Sequence, residues 1–586
     1  MKEFIKYTLA TITGLIVTGG ICLFIGIIVV ASLVAVASGP QETEVKDNSI
    51  MVLDLKGTIH EQIPEESPMS IIMGRKNSAL GLKEILAAID EAKHNPKIKG
   101  IYLRAGKLNA EPATLQEIRD ALLDFKEEKF ILAYSDNYTQ GCYYLCSLAN
   151  KVMLNPIGCI DWLGLSSETM YYKDLLDKVG VEFQVFKVGT YKAAVEPFLV
   201  SHMSDANREQ ITAHLQSVWG NMVDAVVKSR KISADSLNSY ADRYIAMEEG
   251  AEFVKVGMAD TLIYQNDVKE VLKSYVGVKE DDDLNLLSLT DMINIPVEED
   301  NDAENGIAIY YAEGEIDGAA SQGIDSREMS RTLRELADDD DIKAVVLRVN
   351  SPGGSSFGSE QIWNEVKRLK EKKPVIVSMG DYAASGGYYI SCAATKIIAE
   401  PTTLTGSIGI FGMIPSVEKV MNEKLGLHVD VVKTNKFAAS DSYYRSFNDE
   451  ESAHIQRSVN QGYELFVSRC ADGRGLSTDS IKSIAEGRVW TGETAQKLGL
   501  VDELGGIDTA IATAAVEAGI DDFYLVDYPE KEDMLDKFLN DGKDDYLKSM
   551  FRDNLPELYP CLDFLKNLDK KDKVQARLPF ELNLNI

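Results

Sequence analysis

IKGIYLRA, residues 98–105, and IKAVVLRV, residues 342–349, are two versions of one apolar, β-branched run, and the segments that come after them decide the fold. Such a short run reads as a buried strand. After the first, Leu115, Ile118, Leu122 and Phe125 recur at helical spacing, and KFILAY, 129–134, is a strand again. After the second, Ile362, Trp363, Val366 and Leu369 share one helix face, and KPVIVSM, 373–379, is the next strand. Strand, helix, strand in this order predicts a mainly parallel sheet covered by helices.

The two stretches belong to a repeat. Leu103-Arg104 answers Leu347-Arg348. A constant offset then pairs Asp136 with Asp381, Gly141 with Gly386 and Tyr143-Tyr144 with Tyr388-Tyr389. The same offset pairs Lys151 with Lys396, Pro156 with Pro401 and Gly164 with Gly409. Gly257-Met258-Ala259-Asp260 is echoed by Gly499-Leu500-Val501-Asp502. The expected architecture is an α/β tandem duplication joined near the acidic stretch 279–305. Its parts are an anchor and linker over 1–48, a first repeat over 49–295 and a second over 296–586. The tail from about Lys531 alternates charged and apolar residues and is expected to form short helices.

A chain of 586 residues has room for two or three cores. Its net charge of −31 argues against a nucleic-acid partner, which needs clustered Lys and Arg. Seven cysteines and six histidines are scattered without metal-ligand spacing, so neither a metal site nor a disulfide framework is expected. Asp338 to Asp341 reads as a solvated helix-to-strand connection. From Tyr7 to Gln41 there is no charged residue, enough for a spanning helix. A cleaved signal peptide is the rival, because Ala35-Val36-Ala37 resembles a cleavage site, but the apolar run is longer than such peptides use. Lys2 and Lys6 before the run place the N-terminus in the cytoplasm and the body outside it.

The halves differ where chemistry would sit. VNSPGGSS, 349–356, and DYAASGGYYIS, 381–391, each join a strand to a helix. Opposite Ser385 the first half has Gln140, and opposite Pro352-Gly353-Gly354 it has Leu108-Asn109-Ala110. Paired glycines let a backbone turn and aim N–H groups at a developing oxyanion, or simply make a turn capped by Ser355 or Ser356. Ser385, with Gly386 and Gly387 allowing close approach, is either a nucleophile or a helix cap. Ser356 is a rival nucleophile, since Gly354-Ser355-Ser356-Phe357-Gly358 fits G-x-S-x-G, with His428 and His454 later in the chain. No histidine stands near Ser385, and a lysine can serve as its base if burial lowers the lysine pKa from about 10.4 towards 7 to 8. GTYKAAVEPF, 189–198, offers Lys192 among small and apolar residues; the residues alone leave a solvated lysine open. His202 is expected at the surface, not as a base.

Together VNSPGGS, DYAASGGYYIS, PTTLTGSIGIFG and GTYKAAVEPF closely resemble the signal peptide peptidase family SppA (protease IV), long duplicated type, of the ClpP/crotonase superfamily. The resemblance covers nearly the whole chain. It implies a Ser/Lys dyad with Ser385 as nucleophile and Lys192 as general base, one from each half. It further implies that Ser407 orients the lysine and that Gly353 and Gly354 shape the oxyanion hole, with Gly386 beside the nucleophile. It also implies a homotetrameric bowl that uses no cofactor, anchored by its N-terminal helix in the bacterial inner membrane with its body on the periplasmic side. The implied substrates are remnant signal peptides and similar apolar peptides. Two other readings stay open on the residues themselves: a crotonase-like acyl-CoA enzyme, and a membrane-tethered scaffold.

Overall fold

The computed structural model describes residues 42–64, 79–279, 281–296, 303–318, 323–529 and 574–578, with scattered positions between 6 and 26. Most of the apolar run expected to form the membrane anchor lies outside the described residues. Among those described, no helix is long and apolar enough to cross a membrane.

Each repeat builds its own sheet. In the first, strands run in the order Leu80–Gly81, Ser49–His60, Ile98–Asn109, Phe130–Ser135, Lys151–Leu154, Thr261–Leu262, with Leu286–Ser288 beside Ser49–His60. Every pairing in it is parallel. The second runs Val489–Thr491, Leu404–Gly406, Val375–Ala384, Ile342–Ser351, Gly306–Glu313, Tyr524–Tyr528. There only Val489–Thr491 is antiparallel to its neighbour among the described pairings. The strand seen as 98–105 continues to Asn109 because its pairing with Ser49–His60 persists to Thr58↔Asn109. The helices Pro112–Lys126 and Ser356–Lys370 bury the apolar faces read from the sequence: Leu115, Ile118, Leu122 and Phe125 in one, Ile362, Trp363, Val366 and Leu369 in the other.

The duplication extends to individual hydrogen bonds. Tyr143 Oη donates to Met258 O at 2.9 Å, and Tyr388 Oη to Leu500 O at 3.0 Å. Arg230 Nε donates to Gly257 O and Arg474 Nε to Gly499 O, both at 3.0 Å. The acidic stretch Asp338–Asp341 does join a helix to a strand, ending Ser326–Asp338 and leading into Ile342–Ser351.

Two features lock the halves together. Ile307, Ile309, Val346 and Ile376 of the second sheet share one buried cluster with Leu103, Ile118 and Leu122 of the first half. A third, four-stranded antiparallel sheet then takes Glu182–Lys187 from the first half and pairs it with Phe411–Ser416 from the second. Its other two strands are Gly353–Ser355 and Val574–Arg577. The tail therefore departs from the helices its alternation suggested: its described part is a strand, because alternating residues with two open strand edges to pair with satisfy their backbone groups there. The rest of the tail lies outside the described residues.

Candidate active site

The strand Val375–Ala384 ends in the sheet interior, and Ser385 turns the chain into the helix Gly386–Ser391. Its φ of 55° and ψ of −112° are strained for a side chain. Neighbours hold the strain: Ser385 N–H donates to Gly406 O, and Tyr389 N–H to Ser385 O, each at 2.8 Å. Gly387 is required here, since a Cβ on it would lie 2.6 Å from Ser351 O. Ser385 makes no capping hydrogen bond to the helix it opens. Its hydroxyl faces a lysine instead.

That lysine is Lys192. After Glu182–Lys187 pairs with Phe411–Ser416, the chain turns through Gly189 and carries Lys192 into the second half, where it is fully buried. Lys192 Nζ lies 2.8 Å from Ser385 Oγ, 3.0 Å from Ser407 Oγ and 3.3 Å from Ser407 O. All three partners are neutral. Burial therefore has no carboxylate among these partners to oppose it, and it pulls the amine well below the ordinary lysine range. Ser407 is itself fixed by its N–H, which donates to Arg488 O at 2.7 Å.

Gly353 and Gly354 form a short strand with φ of 99° and 155°. Gly353 N–H donates to Ser351 Oγ at 3.2 Å, and a Cβ on Gly353 would stand 2.7 Å from Gly386 N. The two glycine turns thus meet beside Ser385. The rival serine is placed otherwise. Ser355 caps Ser356–Lys370 by accepting from Gly358 N–H at 2.9 Å, and Ser356 is the first residue of that helix. His428 and His454 are exposed, the latter edge-on to Phe437, and His202 is exposed as expected. In the first half, Gln140 fills the place equivalent to the serine. Its Oε1 accepts from Leu163 and Gly164 N–H at 3.0 and 3.1 Å.

Sequence reasoning missed the segment that covers the lysine. Glu486 O accepts from Tyr191 N–H at 3.0 Å, and Gly487 N–H donates to Ile408 O at 2.9 Å. Gly487, at φ 75°, leaves no room for a side chain: a Cβ would lie 2.7 Å from Lys192 Cβ. A glycine in EGRVW, 486–490, carries no such signal in one sequence. Gly487→Ala is expected to push Lys192 off Ser385 and lower kcat/KM about 10²-fold, with the circular dichroism spectrum unchanged; steady-state kinetics check this.

Among the described residues no group of three or more His, Cys, Asp or Glu side chains is arranged to hold a metal ion, and the five described cysteines are free thiols.

A duplicated α/β fold carrying a buried serine at a strained strand-to-helix turn is the frame of a serine protease. Residues 124–279 and 367–521 both match the model of peptidase family S49, and 317–404 match that of Clp protease. The chain belongs to peptidase family S49. Protease 4 of Haemophilus influenzae is 36% identical over 84% of this chain and 83% of its own length. Protease 4 of Salmonella typhi is 38% identical over 81% of this chain and 77% of its own. The chloroplastic serine protease SPPA of Arabidopsis thaliana is 30% identical over 81% and 70%. The similarity thus spans both halves, and the enzyme is a serine protease of the SppA/protease IV type.

Proposed function

We propose that this protease cleaves apolar peptides, remnant signal peptides among them, through a Ser385/Lys192 dyad. The carrying observation is the 2.8 Å contact between Lys192 Nζ and Ser385 Oγ in a fully buried setting. Neutral Lys192 takes the Ser385 proton as Oγ attacks the scissile carbonyl carbon. Backbone N–H groups at Gly354 and Gly386 stabilise the oxyanion, and Gly353, whose own N–H is held by Ser351 Oγ, shapes the turn that presents them. The ammonium then gives its proton to the departing amine, leaving an ester on Ser385. Lys192 next deprotonates a water, which hydrolyses the ester, and the proton returns to Ser385. Ser407 holds Nζ on the line to Ser385 throughout. The apolar preference is supported by Ala384, Leu404 and Val489, which form a buried cluster with Ile211 beside the nucleophile. Anchoring in the bacterial inner membrane, a periplasmic body and a homotetramer belong to the same proposal and rest on the likeness to SppA.

Intact-mass spectrometry with a fluorophosphonate tests the dyad, with cleavage of an apolar peptide as the parallel assay. Wild type and Ser356→Ala are expected to gain the adduct, while Ser385→Ala and Lys192→Ala do not. Labelling that survives Ser385→Ala would return Ser356 to the centre. Because burial lowers the Lys192 pKa, the acid limb of kcat/KM, where the lysine loses its proton, should lie below the ordinary lysine value of about 10.4.

A further inference from the structure

The groove beside Ser385 is occupied by the chain's own tail. Val574–Arg577 runs antiparallel between two strand edges, pairing Arg577, Ala576 and Gln575 with Gly353, Gly354 and Ser355 on one side. On the other, Gln575 and Val574 pair with Phe411 and Gly412. One residue further, Leu578 N–H donates to Pro352 O at 2.6 Å. The Ala576 carbonyl oxygen reaches the corner where the two glycine turns meet: a Cβ on Gly353 would be 2.1 Å from it and a Cβ on Gly386 3.0 Å. Leu578 is 6% exposed and buried against Ile211, Ala384, Leu404 and Val489. Ala384 adjoins the nucleophile, and Ile211 comes from the helix Asp205–Arg230 of the other half.

These contacts are what an extended peptide needs to bind by strand addition: paired backbone on both sides and a pocket for a side chain. They use the glycine strand assigned above to the oxyanion and a pocket one residue from Ser385. An external peptide and the tail therefore cannot hold the groove together.

We propose that residues 574–578 are a built-in competitor, held in the substrate groove of the resting enzyme with Leu578 in the pocket that accepts an apolar substrate side chain. The proposal rests on the Ser385/Lys192 reading of the site. A tethered occupant acts at a high effective concentration, and it raises the apparent KM by the ratio of occupied to open groove. A substrate must then outbid the tail, so weakly apolar peptides are refused while strongly apolar ones enter.

The test uses the full-length protein, a fluorogenic apolar peptide, and the variants Leu578→Asp and Leu578→Met. A carboxylate in the Leu578 pocket expels the tail, so Leu578→Asp should lower KM about tenfold with kcat within about twofold, and Leu578→Met should keep the wild-type KM. The free peptide VQARL should inhibit Leu578→Asp competitively. An unchanged or raised KM in Leu578→Asp, or no inhibition by VQARL, overturns the proposal. Binding of a dye-labelled, uncleaved apolar peptide to Ser385→Ala with and without Leu578→Asp separates the two readings. Tighter binding in the double variant supports the competitor whatever the dyad assay gives, and equal binding refutes it.

Discussion

Lys192→Met is expected to abolish proteolysis and make the protein more stable. The loss has a geometric cause, since no other amine or imidazole is hydrogen-bonded to Ser385 among the described residues. The expected drop in kcat is at least about 10³-fold. The gain in stability comes from burial. Lys192 is fully enclosed, with three neutral oxygens as hydrogen-bond partners, and methionine fills a similar volume with no charge to desolvate. A gain of about 1–2 kcal/mol matches what replacing a strained active-site group commonly gives. The pH dependence identifies the cause. In the unfolded chain the lysine holds its proton up to about pH 10.4, whereas the folded protein, with a lowered pKa, releases it earlier. Between those two values the unfolded state binds more protons, so wild-type stability rises with pH. The advantage of Lys192→Met should therefore be largest at low pH and shrink towards pH 10 in urea titrations.

Arg348→Met should have the opposite effect on the frame. Arg348 is fully buried, and it bridges the halves by donating to Glu61 Oε2 at 2.8 Å and Glu117 Oε1 at 2.5 Å. A third bond goes to Ser378 Oγ at 2.9 Å. Glu61 also accepts from Asn350, and Glu117 from Ile507 N–H. Burial already raises both carboxyls, outweighing the attraction of Arg348, while burial of the guanidinium is more than offset by its two carboxylates, so its own pKa rises. Removing the cation leaves two carboxylates in the interface without a counter-charge, a loss of about 3–5 kcal/mol. The sign is again testable. Their folded pKa values rise further above the unfolded ones, so the folded state binds more protons and stability falls as pH climbs above the carboxylate range. Denaturation midpoints of Arg348→Met should recover towards wild type in acid. Its repeat counterpart, Arg104, pairs with Asp54 at the surface, so Arg104→Met should cost under about 1 kcal/mol.

The same pair of arginines shows what a sequence can say. Leu103-Arg104 and Leu347-Arg348 mark the repeat, because strand and helix periods are local and survive duplication. They give no hint that one arginine is solvent-facing and the other sealed between halves, which depends on how one sheet packs on the other. The tail shows the same limit. Its alternation is visible, but a strand takes its stability from the edges it pairs with, and those edges lie more than 150 residues away, at Gly353–Ser355 and Phe411–Gly412. Gly487 is silent for a related reason: its need for a bare Cα comes from Lys192, brought against it by another part of the chain.

By itself the sequence determined that the body is a duplicated α/β fold and that only the second half has a serine and paired glycines where the first has Gln140 and Leu108-Asn109-Ala110. Local hydropathy periods and internal comparison suffice for that. The residues alone left Lys192 a candidate, and only the tertiary structure brings it against Ser385. The contact joins residues 193 positions apart, and it exists because Glu182–Lys187 crosses to pair with Phe411–Ser416. Strand pairing between halves is a property of backbone edges in space, which no run of side chains in either half encodes alone.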